Sequence, residues 1–340
     1  MKSNIAITGI SVITGKGRGE GAFAPGPVSR EDVPLLIDVA DLERELAEVD
    51  TGPYELHRAQ KIMAAAFLEA LNDAGMGIKS AQAGRTALLV GNAHGVEEFR
   101  TGFFRRMKNT QPELTGPSLF PFTNPNSLSA ALSALFHTTG PNLTFTCGGT
   151  SSEEAIASAC GFLASGRAER AVVAGLNLFC RDYGDEMIES GFACECCAML
   201  VLERPEKAAG RRIYALVEDT AHGFADFSPA GIPPRILKND GRFAVIHRSD
   251  NFSEKTFASK RNRGYYQASF ALYLDELFGN VFSASGCLGV AAAVFLTAGR
   301  AKALLPRGGG APDKITAAGF DGKGAYATVD IARATYAETS

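Results

Sequence analysis

The sequence lacks a dominant charge of either sign: 34 lysines and arginines stand against 37 aspartates and glutamates, a net charge of −3. That balance argues against a nucleic-acid backbone or an anionic membrane surface as the main partner. The chain also lacks any eighteen-residue apolar run free of charge or glycine, so no membrane span is expected. The opening "MKSNIAITGISVITG" has neither the basic block nor the long apolar block of a signal peptide, which points to the cytoplasm. Disulfide-like spacing is missing too. The seven cysteines, Cys147, Cys160, Cys180, Cys194, Cys196, Cys197 and Cys287, are an odd number set mostly in apolar stretches, as expected of reduced thiols. Cys194, Cys196 and Cys197 cluster, but no close second ligand pair accompanies them, so no metal is expected. No cofactor is expected either.

What is present is length and apolar content. With 340 residues, 46% of them hydrophobic, the chain can bury a large core as one big domain or two fused halves. β-Branched runs alternate with helical patterns. "NIAITGISVIT" reads as a strand, residues near His57 to Ala74 as a helix, "RTALLVGNA" as a strand and Ser127 to Phe136 as a helix, an order that predicts an α/β sheet protein. "RAVVAGLN" and "AMLVLERP" are continuous apolar runs, as in strands covered on both faces. "GFLASGRA" (Gly161 to Ala168) recurs as "VFLTAGRA" (Val294 to Ala301), each after a stretch that reads as strand and small-residue turn, "LTFTCGG" and "NVFSASG". The recurrence predicts a duplicated architecture, with halves at 1–205 and 206–340. Lys255, Lys260, Arg261 and Arg263 read as a solvated surface loop.

The stretch "TFTCGGTSSEEAIASACGFLASG" runs from a strand through a glycine turn into a helix, a recurring mount for a nucleophile because it aims free backbone N–H groups at an oxyanion. From Gly140 to Asn177 it resembles, without a gap, the nucleophile region of β-ketoacyl synthases, with Gly140, Pro141, Ser165, Gly166, Gly175 and Asn177 in register. "CECCAMLVLE" is similar to that family's Gly-Glu-Gly-Ala strand, with Glu195 kept, and "AAGFDGKGAYATVDI" to its closing Gly-Phe-Gly-Gly turn through Gly319, Phe320 and Gly322. The resemblance implies a thiolase-like fold: two duplicated βαβαβ halves in α-β-α-β-α layers.

In the same register the catalytic positions are degenerate. The nucleophile falls on Gly149, the lysine of Ser-x-Lys-x-x-x-Gly-His on Phe282 and its histidine on Cys287. Glycine cannot attack a thioester, phenylalanine carries no charge and a thiol is no imidazole. The family's other histidine corresponds to His247, with Asp250 near it, although the Gly-Thr-Gly-Thr that should follow is missing. The nearest thiol to Gly149 is Cys147, expected on the strand about 7 Å away along it. It reads either as a small buried hydrophobe or as a displaced nucleophile.

Chain-length factors share this combination of kept shape and missing chemistry. The resemblance implies a non-catalytic subunit that heterodimerises with an active ketosynthase of a type II polyketide or fatty-acid-like synthase. It would help wall the acyl tunnel, with an acyl carrier protein delivering its phosphopantetheine-bound chain, directly or through the partner. The short second half resembles compact chain-length factors of polyene-forming or anthraquinone-type bacterial systems. Matching positions make Phe99, Leu119 and Phe120 candidate tunnel residues. Two other readings stay open: an active condensing or acyl-transfer enzyme using Cys147, and a homodimeric acyl- or carrier-protein-binding module.

Overall fold

The computed structural model describes residues 2–24, 26, 34–47, 49, 55–82, 84–109, 117–208, 210–224, 243–248, 270–305, 309–321 and 324–334. Asp250, Gly322 and the basic run at 255–263 lie outside them. The first β-branched stretch forms the long strand β1 (Lys2–Thr14), followed by β2 (Gly17–Arg18), α1 (Ala40–Glu45), α2 (Arg58–Asp73), α3 (Ile78–Gln82), β3 (Thr86–Asn92) and α4 (Glu97–Asn109). Next come α5 (Ser127–Phe136), β4 (Asn142–Phe145), α6 (Ser151–Ala164), β5 (Arg170–Asn177), α7 (Gly184–Glu189) and β6 (Cys196–Glu203). The second half holds β7 (Ala215–Phe224), β8 (Phe243–Arg248), β9 (Phe270–Tyr273), α8 (Leu274–Phe278), α9 (Ser285–Thr297), β10 (Lys314–Phe320) and β11 (Ala325–Arg333).

These strands join in one sheet with the path β4-β3-β5-β6-β1-β7-β11-β10-β8-β9, β2 pairing with β1. The path is two copies of one pattern meeting at β1 and β7. β3 runs parallel to β4 and β5 as β8 does to β9 and β10, while β5–β6 and β10–β11 are antiparallel. β1 makes the joint because it is long enough to serve both sides: Ala6–Thr14 pair with β6, and Lys2–Ile7 with β7.

The repeated octapeptide is a pair of equivalent helix ends. Gly166 ends α6 with φ +71° and Gly299 ends α9 with φ +67°, a left-handed geometry that glycine adopts without a Cβ penalty. Ala168 N–H then donates to Phe162 O and Ala301 N–H to Phe295 O, in the same position of each copy. One part of the expected repeat is different. "NVFSASG" contains no strand: the strand before α9 is β9, and Phe282–Ala284 form a 3₁₀ turn.

Helices α6 and α9 pack against each other, α6 against β3 and β5 and α9 against β8, β10 and β11, while α2 covers β1 and β6 on the outside. The sheet carries helices on both sides, in the layered α/β arrangement expected. All thirteen residues of α9 are buried, so its apolar character all round fits a helix caught between two half-sheets. Every residue of β3 and β6 is buried as well, in keeping with their continuous apolar runs. Cys194 and Cys196 pack into the core between the half-sheets and Cys197 into the core under α2. Alternating strand faces thus split the cysteine cluster. Among the described residues no group of side chains could hold a metal ion, and no helix is long and apolar enough to cross a membrane.

Candidate functional site

β4 ends at Phe145, and the chain turns through Gly148–Thr150, a single 3₁₀ turn, into α6. Gly148 has φ +68°, so the sharp turn depends on glycine there. Gly149 is buried, and its carbonyl accepts a hydrogen bond from Ser285 Oγ at 2.7 Å. This bond ties the turn to the start of α9, 136 residues away in sequence.

The same hydroxyl lies 2.8 Å from Glu153 Oε1 and 3.1 Å from Oε2. Glu153 is buried on the inner face of α6, and its carboxyl rests against two glycines. A Cβ on Gly286 would stand 2.7 Å from the carboxyl carbon, and one on Gly319 would stand 2.2 Å from Oε1. Burial pushes the Glu153 carboxyl up to about 8, overriding the Ser285 hydrogen bond that pulls the other way. Proton counting agrees. One serine proton cannot serve both the Gly149 carbonyl and the carboxylate, whereas a protonated Glu153 donates to Ser285 Oγ and Ser285 donates to Gly149. Glu153 is therefore a neutral acid at pH 7.

The turn before α9 is anchored to the first half. Ala93 N–H donates to Ser283 Oγ at 2.8 Å, and Ser283 Oγ donates to Leu176 O at 2.6 Å. Phe282 is held at φ +38°, a left-handed conformation unfavourable for a bulky residue, with its N–H donating to Asn280 Oδ1 at 3.0 Å. His247 lies on β8 opposite Gly319 of β10, and its Nε2 accepts the Val281 N–H at 3.3 Å. Cys287 is buried in the first turn of α9 with its Sγ 3.7 Å from Val173 O, and burial pushes its thiol far up. The structure thus gathers Gly149, Phe282, Cys287 and His247 around the junction of α6, α9, β8 and β10.

Cys147 does not join them, which corrects two expectations. It lies beyond the end of β4, capping the 3₁₀ turn, and it is exposed rather than a buried hydrophobe. The strand stops early because the chain must bend into the Gly148 turn. Partial burial, and the nearby Glu154 carboxylate that pairs with His222 at 3.0 Å, raise the Cys147 thiol above its ordinary value. A reactive cysteine needs the opposite shift. At neutral pH Cys147 should alkylate with iodoacetamide more slowly than a free cysteine and should show no saturable acylation by a thioester. Saturable acylation would identify an activated thiolate.

Two cavities lie to one side of the turn. The first, of about 590 Å³, is lined by Phe99, Phe103, Leu119 and Phe179 among apolar groups and by His57, Arg58 and His94 among polar ones. Phe99 forms a three-ring cluster with His57 (4.5 Å between centroids) and Phe122 (5.7 Å). Phe99 and Leu119 therefore wall one space, while Phe120 does not line it and is 55% exposed. Glu195 braces this cavity: fully buried, it is paired by the Arg58 guanidinium and accepts the N–H groups of Ile37 at 2.7 Å and Phe179 at 3.0 Å. The second cavity, of about 490 Å³, is lined by His94, Glu97, Arg100, Gly148 and Phe282. His94 lines both cavities, with the Phe282 ring edge-on to it at 4.8 Å.

Glu153, His94 and Glu97 did not emerge from the sequence. A signal for Glu153 was there: it falls three residues before Ile156 and seven before Cys160, on the apolar stripe of α6.

Residues 30–191 match the family described as beta-ketoacyl synthase, N-terminal domain. That stretch contains Gly149 and all three candidate tunnel residues and ends before His247, Phe282 and Cys287. No curated protein sequence matches the chain. Solved structures do. The ishigamide ketosynthase/chain length factor aligns with TM-score 0.78 at 17% identity, covering 98% of this chain and 100% of that one. A type II polyketide ketosynthase bound to a hexaketide, in complex with its acyl-carrier protein, aligns at 0.73 and 17%, with coverage of 98% and 100%. An oxazolomycin ketosynthase domain of Streptomyces albus aligns at 0.70 and 16%, covering 98% and 74%. At such identities the likeness is one of fold, and the chain has the thiolase-like ketosynthase fold with its layered α/β architecture.

Proposed function

We propose that this chain is a non-catalytic subunit of the chain-length-factor type, which pairs with an active ketosynthase and shapes an acyl or polyketide tunnel in the cytoplasm. The observation that carries the reading is Gly149. At the turn where this fold mounts a nucleophile that residue has no side chain, and its carbonyl accepts from Ser285 Oγ, which also meets the neutral carboxyl of Glu153. Phe282 and the high-pKa Cys287 at the two further positions supply neither a cation nor an imidazole. Glycine at position 149 also offers no side-chain amide that could polarise a malonyl carbonyl.

The chemistry then belongs to a ketosynthase partner, and the acyl carrier protein with its phosphopantetheine-bound chain engages that partner or the pair. β4 lies at the end of the sheet path with Leu143 40% exposed, which suits it to extend the sheet into a second subunit. Exposed Phe104, Met107 and Phe120 supply apolar surface for the same role. Phe99 and Leu119 are the tunnel wall in this reading, and Phe120 faces the partner.

Co-expression with the ketosynthase encoded nearby, followed by native mass spectrometry, tests it. The expected outcome is a one-to-one complex whose product formation survives Cys147→Ala. A self-sufficient homodimer that loses turnover or acyl labelling with Cys147→Ala would overturn the reading in favour of a displaced nucleophile.

A further inference from the structure

The two cavities adjoin at one side chain. His94, on the turn between β3 and α4, lines both the cavity of about 590 Å³ that holds Phe99 and the cavity of about 490 Å³ beside Gly148. The Phe282 ring stands edge-on to it at 4.8 Å and lines the second cavity. The main chain sets these rings opposite each other: the N–H of Ala93, next to His94, donates at 2.8 Å to Oγ of Ser283, next to Phe282. On the His94 side the backbone is pinned, because Asn92 Oδ1 holds the Gly95 N–H at 2.8 Å and a Cβ on Gly95 would stand 2.5 Å from Leu176 Cδ2. On the other side Phe282 is kept at φ +38°, a strain of the kind that collects at clamps and switches. Phe179 of the first cavity packs with Met187 and Phe282 of the second in one apolar cluster, so the two spaces share a wall.

We propose that the His94–Phe282 pair is a side-chain door between two chambers of one site, through which the far end of a straight apolar chain in the first cavity enters the space beside the Gly148 turn. With the backbone fixed on both sides, rotation of the two rings is the motion that opens it. Burial lowers the pKa of His94, so its ring is neutral at pH 7 and sets no ionic charge in the passage. Two of the charged groups in the linings are already engaged, Arg58 with Glu195 and Arg100 with Glu97. Phe99, Leu119 and Phe179 are left to hold the chain on one side of the door, and Met187 and Phe282 on the other. Each chamber lies in the size range of small-molecule sites, roughly 300–1,000 Å³. The turn without a nucleophile then gains a use: the space next to it stores the end of a chain instead of presenting it to a thiolate. The inference rests on the reading of the first cavity as acyl space.

The test uses the full chain with ¹³C-methyl-labelled methionine and two neutral probes, n-octanol and n-hexadecanol. Met187 lines the second cavity and not the first, so its methyl signal, assigned by its loss in Met187→Leu, reports on the inner chamber. Hexadecanol should bind one-to-one, displace octanol and shift that signal. His94→Ala widens the door, and the preference for hexadecanol over octanol should rise at least about tenfold, as two further buried methylenes at about fourfold each would give. His94→Trp fills the door and should lower the preference by a similar factor. If either variant does not fold, the other decides, together with the stoichiometry and the Met187 shift in the unsubstituted chain. An unchanged preference in the variants, two hexadecanols per chain, an unmoved Met187 signal or no binding of hexadecanol would each overturn the proposal. The subunit reading fails separately, on the absence of a one-to-one complex with a ketosynthase.

Discussion

Replacing Glu153 by glutamine should remove a large pH dependence of stability that the unsubstituted chain carries. In the folded chain burial holds the carboxyl up at about 8, against an ordinary value of 4.5 once the chain unfolds. The folded state therefore binds the proton more tightly. The contribution of this group is fully present below about pH 4.5 and is lost as pH rises towards about 8. The slope is about 1.4 kcal/mol per pH unit, and the total about 5 kcal/mol. Other groups titrate in the same range, among them His57 and His94, whose burial lowers their pKa and acts with the opposite sign. Comparing the two proteins cancels those contributions. Glutamine can donate to Ser285 Oγ in place of the carboxyl O–H and leaves the Ser285 bond to Gly149 O intact. The expected result is that denaturant melts of the Glu153→Gln chain gain on the unsubstituted chain by about 1.4 kcal/mol for each pH unit across this window. Parallel stability curves would mean that Glu153 is ionised in the folded state.

That carboxyl also shows where sequence reasoning stopped. Helix α5 and strands β3, β5 and β6 were legible because their apolar runs have the right length and no competing breaker. The duplication was legible because the two helix ends need the same glycine cap. "NVF" before α9 reads as a strand because Val281 and Phe282 carry β-propensity. Asn280 Oδ1 captures the Phe282 N–H locally, and Ser283, bonded across to the Ala93 N–H and Leu176 O of the first half, holds the turn instead. The gathering of Gly149, Phe282, Cys287 and His247 could be expected only from family resemblance, and the structure places them at one junction. The pairing of Glu153 with Ser285 joins residues 132 apart, and no local pattern carries such a contact.

The second large effect is expected at the sheet edge. Among the described residues β4 pairs with β3 alone and ends the sheet path, with the apolar Leu143 exposed beside its open edge. A flat, exposed, uncharged edge is a liability unless another strand covers it. If the proposed ketosynthase partner extends the sheet there, Leu143→Asp places an unpaired charge inside the joint. The one-to-one complex should weaken at least about 1,000-fold, or about 4 kcal/mol. The same substitution should leave the melting temperature of the isolated chain nearly unchanged, because an exposed side chain contributes little to the fold of its own subunit. Phe120→Asp, on the neighbouring exposed surface, should weaken the complex in the same sense. Undiminished assembly of the Leu143→Asp chain would show that the partner docks elsewhere. The exposed edge would then have to be explained without a second subunit, and the strongest physical argument for a shared sheet would be gone.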